Sequence, residues 1–394
     1  MKPIPYGKQE ITQQDIDAVV DVLQSDYLTQ GPKVNEFENS FANFVEADYA
    51  IAVSNGTAAL HLAVLALGLK KGDKVITTPL TFVASANCIR YCDAEVTFAD
   101  IDPVTYLIDF NFVEKLVKSS PKGTYKGIIV VDFAGRSVNL EQFRALADAY
   151  GLWIIEDACH APGAYFIDSN KQKQLTGNGK FADISVFSFH PVKHIACGEG
   201  GMLTTNNKIL YNKLMSLRSH GITRNLAEFK NEISLADSNA IDYPLWYMEM
   251  QELGFNYRLT DIQAALGCSQ LTRIEANLER RSEIAEIYYN AFKDESFVLG
   301  QSGIVEGHAY HLYILEVKDR FGLYNYLRQN NIFAQIHYFP VHLMPYYKSI
   351  GSDEGSFIYA EKYYKNCISL PVFQGLNFED QNYIINSIMN FYAK

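Results

Sequence analysis

Between residues 49 and 205 the chain alternates short apolar runs with longer stretches of helical periodicity. This alternation is typical of strands joined by helical crossovers, which form a mostly parallel sheet covered by helices on both faces. The predicted strands are Ala50–Val53, Lys74–Thr77, Glu95–Ala99, Gly127–Asp132, Leu152–Glu156, Ile184–Ser188 and Gly201–Thr204. The predicted helices between them are Thr57–Leu67, Phe82–Tyr91, Phe112–Lys118 and Asn139–Ala149. The fold class is therefore α/β, and we expect the last two strands, which lie close in sequence, to pair with each other.

The segments on either side of this region have periodicities of their own. Amphipathic helices are predicted over residues 13–24 and 35–45, and a further helix begins at Thr260-Asp261 with a favourable N-cap. Later elements are strands at Tyr310–Val317 and Phe333–Tyr338 and helices at Gly322–Gln329 and Ser356–Asn366. We therefore expect an N-terminal segment plus a large α/β domain over residues 1–259, and a smaller α+β domain over residues 260–394.

Residues 224–250 follow neither pattern, because they are polar and irregular. Long connections of this kind are either functional surface loops or disordered segments. Both interpretations stay open from the sequence.

Composition and charge exclude several classes of protein. The 34 Lys and Arg residues against 45 Asp and Glu give a formal net charge of −11, which argues against a nucleic-acid-binding surface. No apolar run approaches the roughly 20 residues that span a bilayer, and the first residues lack the apolar stretch of a signal peptide. The 6 cysteines are scattered without a CxxC pair. These features predict free thiols in a cytoplasmic protein that contacts neither nucleic acid nor membrane.

A lysine stands out in the segment from Ser185 to Gly201, where an apolar strand leads into a proline-bearing loop and then into a glycine-rich turn. At the mouth of a sheet and beside aromatic residues, Lys193 can be partly desolvated. Desolvation lowers the pKa of a lysine and makes its amine nucleophilic, as Schiff-base formation with an aldehyde requires. The alternative is a surface lysine in a hairpin.

Two further segments place polar groups after predicted strands. Asp157 follows Leu152–Glu156, and ligands of open α/β sheets bind at the carboxyl ends of strands, where a carboxylate can pair with a protonated ring nitrogen. The segment Ser54–Leu60 (SNGTAAL) precedes a helix whose free N–H groups can bind phosphate, with the hydroxyl of Thr57 in addition. The alternatives are a turn residue for Asp157 and a plain N-cap by Ser54 or Asn55.

Histidine pairs are the remaining candidates for a metal site. His190 and His194 are four residues apart, but Pro191 interrupts a helix between them, and His337 and His342 are separated by a proline as well. Neither pair has the setting of a zinc site. The sequence therefore predicts no metal.

Five motifs in this order resemble the DegT/DnrJ/EryC1/StrS family of sugar aminotransferases, which depend on pyridoxal 5′-phosphate (PLP) and have the aspartate aminotransferase (type I) fold. The motifs are Ser54–Leu60, Glu156–His160 (EDACH), Ser188–Lys193 (SFHPVK), Gly198–Gly201 (GEGG) and Gly254–Asp261 (GFNYRLTD). The resemblance covers nearly the whole chain. It implies a mostly parallel central sheet sandwiched by helices, a smaller C-terminal α+β domain and a PLP cofactor.

The resemblance also implies roles for single residues. Lys193 would form the Schiff base with PLP, and Asp157 would pair with the pyridinium nitrogen. The other residues implied to hold the cofactor are Thr57, Ala58 and Ser188 at the phosphate, Phe82 stacked on the ring and His160 near the ring hydroxyl. Asn256 would reach the phosphate of the cofactor in a neighbouring subunit, which implies a homodimer with shared active sites.

Residues 4–9, 250–256 and 337–343 are similar to the members of this family that aminate C4 of a sugar in the pseudaminic acid pathway. The implied substrates are a UDP-linked 4-keto-6-deoxy-2-acetamido sugar and glutamate, with Tyr6 and His337 as substrate contacts. The alternatives are another C3 or C4 aminotransferase of a nucleotide sugar, such as a dTDP-keto sugar, and a PLP-binding regulator without catalysis. A nicotinamide enzyme is disfavoured, because the chain lacks a proper glycine fingerprint.

Overall fold

The structure is a computed structural model that describes residues 2–393. Its strands are β1 (Ile4–Pro5), β2 (Tyr49–Val53), β3 (Lys74–Thr77), β4 (Glu95–Phe98), β5 (Tyr125–Val131), β6 (Trp153–Asp157), β7 (Tyr165–Ile167), β8 (Lys173–Leu175), β9 (Ile184–Ser188), β10 (Gly201–Thr205), β11 (Ile222–Thr223), β12 (Glu249–Met250), β13 (Val298–Gln301), β14 (Tyr313–Val317), β15 (Ile332–Phe333) and β16 (Cys367–Leu370). Its α-helices are α1 (Gln13–Leu23), α2 (Pro32–Val45), α3 (Gly56–Ala66), α4 (Ala84–Tyr91), α5 (Phe110–Lys118), α6 (Leu140–Tyr150), α7 (Lys208–Arg218), α8 (Ile233–Ala236), α9 (Asp261–Leu271), α10 (Ile274–Phe292), α11 (Arg320–Gln329), α12 (Pro345–Ser349), α13 (Ile358–Asn366) and α14 (Phe378–Tyr392).

A seven-stranded sheet with the order β2-β10-β9-β6-β5-β3-β4 forms the centre of the molecule. Neighbouring strands are parallel from β9 to β4, whereas β10 runs antiparallel to both of its neighbours. Strand β2 therefore points the same way as β9, and the reversed β10 is the exception. All seven strands predicted from the sequence are present, and the predicted pairing of the last two is confirmed, so the α/β fold class is correct.

The alternation of side chains along each strand explains why helices cover both faces of this sheet. Ile129 of β5 and Ile155 of β6 pack in a cluster with α3, α4 and α7. Their neighbours Ile128 and Ile154 point to the opposite face and pack with α5 and α6. Further along that face, α2 and α9 cover β2, β9 and β10. Such two-sided burial accounts for the nearly continuous apolar runs in the sequence.

The N-terminal helices are attached to α9 by a buried polar network. Asp15 of α1 is fully buried and accepts hydrogen bonds from Arg273, at 2.8 and 3.1 Å, from Ser269 at 2.6 Å and from Gln270 at 3.0 Å. These bonds compensate the cost of burying the carboxylate. The network therefore attaches α1 to α9.

The C-terminal part contains the antiparallel sheet β13-β14-β16, which packs with α10, α11 and α14 in a cluster of its own. Ile4 joins this cluster, because β1 pairs in parallel with β15 through Ile4 and Ile332. In contrast, α9 packs against α1 and α2. The division into residues 1–259 and 260–394 stays a prediction.

Several element boundaries differ from those predicted, and one hairpin was not predicted. The predicted strand Phe333–Tyr338 ends at Phe333, because its partner β1 ends at Pro5, and beyond this point Gln335 makes an isolated antiparallel bridge to Ser369. The hairpin formed by β7 and β8 was not predicted. Residues 224–250 form a surface excursion with only short helical turns, α8 and the end strand β12. No helix within residues 2–393 has both the length and the apolar character that a bilayer crossing needs.

Candidate active site

A cavity of about 700 Å³ lies at the carboxyl ends of the parallel strands. Strands β2, β9 and β6 all end at this edge, so the polar residues that follow them in sequence converge there. The sequence-predicted residues that line the cavity are Tyr6, Thr57, Ala58, Phe82, Asp157, His160, Ser188, Lys193 and His337. Asn256 does not line it.

Lys193 lies on the loop after β9, with its amine at the cavity. The Nζ atom is 3.4 Å from Nε2 of His311. Burial lowers the pKa of Lys193 from its ordinary 10.5 to about 8, against the opposing influence of Cys159 and Asp157. At pH 7 roughly a tenth of such an amine is neutral, which is several hundred times the neutral fraction of an exposed lysine. The amine is therefore suited to nucleophilic attack on an aldehyde.

Asp157 is the last residue of β6, and only 5% of its surface is exposed. Its Oδ2 accepts a hydrogen bond of 2.6 Å from the Ser85 hydroxyl, and its Oδ1 accepts one of 3.3 Å from the Cys159 N–H. The Ser85 hydroxyl is itself 2.7 Å from that of Thr81. Because these donors are neutral, they orient the carboxylate without neutralising it. Such a group favours the protonated form of a heterocyclic nitrogen placed beside it.

The start of α3 and the end of β9 together form a cradle for a phosphate. Asn55 is the N-cap of α3 and accepts a hydrogen bond of 2.8 Å from the Ala58 N–H, as one alternative interpretation expected. The Gly56 and Thr57 N–H groups are then the first-turn donors left for an anion. A Cβ atom added to Gly56 would lie 3.1 Å from the Cβ of Ser188. Glycine thus lets the helix begin against Ser188, so two separate sequence motifs meet here.

His160 and Tyr338 form a linked pair on the wall of the cavity. The Nδ1 atom of His160 accepts a hydrogen bond of 3.3 Å from the Ala134 N–H, so the ring proton is on Nε2, which lies 3.2 Å from the Tyr338 hydroxyl. Burial lowers the pKa of His160 well below its ordinary value, and the positive charge of Lys193 lowers it further. The ring of Phe82, which is exposed, lies 6.1 Å from that of Tyr338. These groups are placed to contact a flat ring and its substituents.

Tyr6 and His337 contact each other on the wall of the cavity, where their ring centroids are 5.1 Å apart. His337 is held in place by Ser369, whose hydroxyl is 2.9 Å from Nδ1, and by Tyr363, whose hydroxyl donates to the His337 carbonyl at 2.8 Å. Burial and the nearby Lys193 lower the pKa of His337 to about 3. The imidazole is therefore neutral at physiological pH and contributes hydrogen bonding rather than charge.

Asn256 lies outside the cavity, where it is exposed and bridges to Ser219 in an antiparallel arrangement. The structure also shows contacts that sequence reasoning missed. Ser85 could have been suspected, since it lies one helical turn after Phe82, and Tyr338 is adjacent to the predicted His337. His311 carries no sequence signal, because its contact with Lys193 joins residues 118 positions apart.

These features fit PLP. The cradle at Gly56 can accept a phosphate. The negative charge of Asp157 is not neutralised by its hydrogen-bond donors, which are uncharged. Lys193 supplies an amine of lowered pKa in the same cavity. The residues that would hold the cofactor are the predicted ones that line the cavity, with Ser85 and Tyr338 in addition. Their roles toward PLP remain predictions.

Comparison with protein families and curated proteins agrees with this chemistry. The model of the DegT/DnrJ/EryC1/StrS aminotransferase family matches residues 9–389. The chain is 37% identical to the spore coat polysaccharide biosynthesis protein SpsC of Bacillus subtilis, over 98% of this chain and 96% of the relative. It is 36% identical to the UDP-4-amino-4,6-dideoxy-N-acetyl-beta-L-altrosamine transaminase of Campylobacter jejuni, over 99% of this chain and 98% of the relative.

Solved structures give the same result for the fold. Helicobacter pylori PseC, an aminotransferase involved in the biosynthesis of pseudoaminic acid, superposes with a TM-score of 0.86 at 29% identity and 100% coverage of both chains. The PLP form of Spr1654 from Streptococcus pneumoniae superposes with a TM-score of 0.86 at 26% identity and 99% coverage of both chains. The cavity at the carboxyl ends of the strands therefore belongs to an aminotransferase fold.

Proposed function

Because the chain belongs to the DegT/DnrJ/EryC1/StrS family of PLP-dependent aminotransferases, and is thus an enzyme that aminates a nucleotide-activated sugar, we propose that it transfers an amino group from glutamate to C4 of a UDP-linked 4-keto-6-deoxy-2-acetamido sugar. The products would be 2-oxoglutarate and the 4-amino sugar. The observation that carries the proposal is the amine of Lys193, whose pKa is lowered to about 8 between the Asp157 carboxylate and the phosphate cradle. The C4 position and the sugar are supported by the name of the Campylobacter relative.

When bound, PLP supplies an electron sink for the carbanion that forms as the donor loses its α-proton. The chain then has to move one proton twice. Lys193 would hold the cofactor aldehyde through Nζ. When free, the same Nζ would act as the base that takes the proton from the α-carbon of the donor and as the acid that gives a proton back. With the keto sugar the amine would carry out the two transfers in the opposite order.

The other cavity residues would set the protonation state and the orientation of the cofactor and the substrate. Asp157 would keep a proton on the cofactor ring nitrogen, and Ser85 holds the carboxylate in position through its 2.6 Å hydrogen bond. His160 would lie near the ring hydroxyl, where its own orientation is fixed by Ala134 and Tyr338. Thr57 and Ser188 would contact the phosphate. Tyr6 and His337 would contact the sugar from the cavity wall that they line.

The decisive experiment on the cofactor is reduction with borohydride. The purified protein should be yellow after incubation with PLP, and borohydride should bleach it and add the cofactor mass to the peptide containing Lys193. A Lys193→Arg variant should gain no mass and show no turnover. Normal turnover by this variant, or mass on another lysine, would remove the basis of the proposal.

The substrate is tested by turnover. A UDP-4-keto-6-deoxy-2-acetamido sugar with glutamate should give an amino sugar, whose NMR spectrum identifies the aminated carbon and its configuration. An amino group at C3, or turnover only with a dTDP-linked sugar, would favour the other nucleotide-sugar aminotransferases. A protein that binds PLP but turns over no keto sugar would favour the regulator.

We propose further that the active unit is a homodimer with shared sites. Residues 226–253 expose large apolar side chains, including Leu245 at 99%, Ile241 at 90% and Leu253 at 77%, and an apolar patch of this kind is typical of an interface. Among residues 2–393, the side chains that line the cavity include no arginine, although a sugar diphosphate and a donor carboxylate need cationic partners. Asn256 is exposed close to the same segment.

Complementation between inactive variants tests the shared site. Lys193→Arg removes the amine, and Asn256→Ala would remove a contact to the cofactor of the other subunit. In a mixed dimer one site then carries both changes and the other carries neither. Random exchange of subunits should restore about a quarter of the wild-type activity. No recovery after confirmed exchange would contradict the placement of Asn256 in the partner site.

The compartment is proposed from the cysteines. All six cysteines are free thiols: Cys88, Cys92, Cys159, Cys197, Cys268 and Cys367. Unpaired cysteines are typical of a reducing compartment. We therefore place the enzyme in the cytoplasm, which fractionation of the cells that produce it would check.

A further inference from the structure

We propose that His311 is a positioning residue that accepts a hydrogen bond from the Lys193 ammonium whenever this amine is not bonded to the cofactor. The inference rests on the proposed function, since it assigns a place to the amine in the steps during which the donor has replaced it. His311 precedes β14 in the C-terminal part of the chain and lies outside every motif found in the sequence.

The geometry around His311 is that of a buried acceptor. Only 4% of the residue is exposed, and its Nε2 is 3.4 Å from Nζ of Lys193. Its ring centroid lies 4.4 Å from that of His160 and 5.7 Å from that of His194. Within the described residues, its Nδ1 has no hydrogen-bond partner. Among those residues, the contact with the amine is therefore the one hydrogen bond that holds this ring.

The protonation states follow from the same contact. Burial lowers the pKa of His311 well below its ordinary value, and the charge of Lys193 lowers it further. A neutral imidazole has one nitrogen that accepts and one that carries the proton. An ammonium has only donors, so the nitrogen that faces it, Nε2, accepts, and the proton lies on Nδ1. This arrangement stabilises the charged form of Lys193 and fixes where its Nζ rests.

Other titratable groups also act on Lys193. Asp157 and Cys159 favour its charged form, and charge on His160, His194 or His337 would oppose it. None of these three imidazoles is bonded to Nζ: His160 is engaged with Tyr338, His194 with the Ala309 carbonyl at 2.8 Å, and His337 with Ser369. His311 is thus the imidazole that can hold the amine.

The test measures the lysine itself rather than turnover. In cofactor-free protein, trace acetylation with acetic anhydride across a pH series, read by mass spectrometry of the peptide containing Lys193, gives the pH midpoint of the amine. His311→Leu removes the acceptor and should lower the midpoint by about one unit, which raises the neutral fraction of the amine at pH 7 about fivefold. His311→Gln places an amide oxygen near the position of Nε2 and should keep the midpoint close to wild type.

The matched control is His194→Gln, which replaces a neighbouring buried imidazole by an amide that can still donate to the Ala309 carbonyl, and it should leave the midpoint unchanged. If His311→Leu does not fold, as judged by circular dichroism, His311→Asn takes its place, because its side chain is too short to reach Nζ. A wild-type midpoint in the acceptor-free variant, or an equal shift in His311→Gln, would overturn the proposal.

Failure of this inference can be told apart from failure of the proposed function. Borohydride adds the cofactor mass to Lys193 if the proposed function holds, whatever the acetylation midpoints are. An unshifted midpoint together with cofactor mass on Lys193 overturns only the role of His311. Absence of cofactor mass overturns the proposed function, while the acetylation series still decides whether His311 holds the amine.

Discussion

Replacing Lys193 with methionine should make the cofactor-free protein more stable at neutral pH. Burial lowers the pKa of this lysine from 10.5 to about 8, so the folded state disfavours a charge that the unfolded chain carries freely. One pKa unit corresponds to about 1.4 kcal/mol, so the wild-type protein gives up at most about 3 kcal/mol of stability at pH 7. Methionine fills a similar volume without the charge.

The sign of the pH dependence follows from proton binding. Between pH 8 and pH 10.5 the unfolded state binds more protons than the folded state, so the wild-type stability rises with pH through this window. The advantage of Lys193→Met is therefore largest below pH 8, falls to about 1.5 kcal/mol at pH 9.5 and disappears above pH 10.5. A lysine kept at such a cost is expected where chemistry requires it.

The assay is urea unfolding of the cofactor-free proteins at pH 7 and pH 9.5, at equal protein concentration. Lys126→Met is the matched control, because Lys126 is exposed on β5 of the same sheet and pairs with Asp73 only at 4.0 Å, so its effect should be small at both pH values. A Lys193→Met protein that is no more stable than wild type at pH 7, or whose advantage does not shrink with pH, would refute the reasoning.

Three smaller predictions concern buried hydrogen bonds. Asp15→Asn should lower the free energy of unfolding by about 2 kcal/mol at pH 7, because Arg273 and the other donors hold the pKa of Asp15 at about 2. The loss should fade as the pH drops from 4 to 2. Urea unfolding measures it, with Asp17→Asn on the exposed face of α1 as the control. Ser85→Ala should lower kcat/KM about tenfold through the loss of one bond to Asp157, with an unchanged unfolding midpoint. Tyr338→Phe should reduce kcat/KM less than tenfold, because His160 keeps its bond to Ala134.

Each of these has an outcome that would contradict it. Equal acid titrations for Asp15→Asn and the wild type would show that the carboxylate is not held by the network. Full activity in Ser85→Ala would show that Asp157 needs no second partner. A collapse of activity in Tyr338→Phe, measured in the same steady-state assay, would mean that the tyrosine hydroxyl contacts the reacting groups itself.

Local patterns were enough to predict the order of the central elements. The seven strands and their crossover helices were identified from period and apolar runs, because these properties depend on residues close in sequence. Element ends were less certain. The helix predicted from Phe82 begins at Ala84, and Phe82 is exposed at the cavity. The strand predicted over 333–338 stops early because its partner strand β1 is only two residues long.

The sequence determined which chemical groups stand where the strands end: an amine after β9, a carboxylate at the last residue of β6 and a helix start after β2. Parallel strands bring such groups to one edge, so their convergence could be expected without coordinates. Tertiary structure alone decided which residues form hydrogen bonds with these groups. Ser85 meets Asp157 across 72 positions and His311 meets Lys193 across 118, and no local pattern encodes such pairs. Burial likewise set the pKa of Lys193, because desolvation depends on the whole packed fold and not on neighbouring residues in the chain.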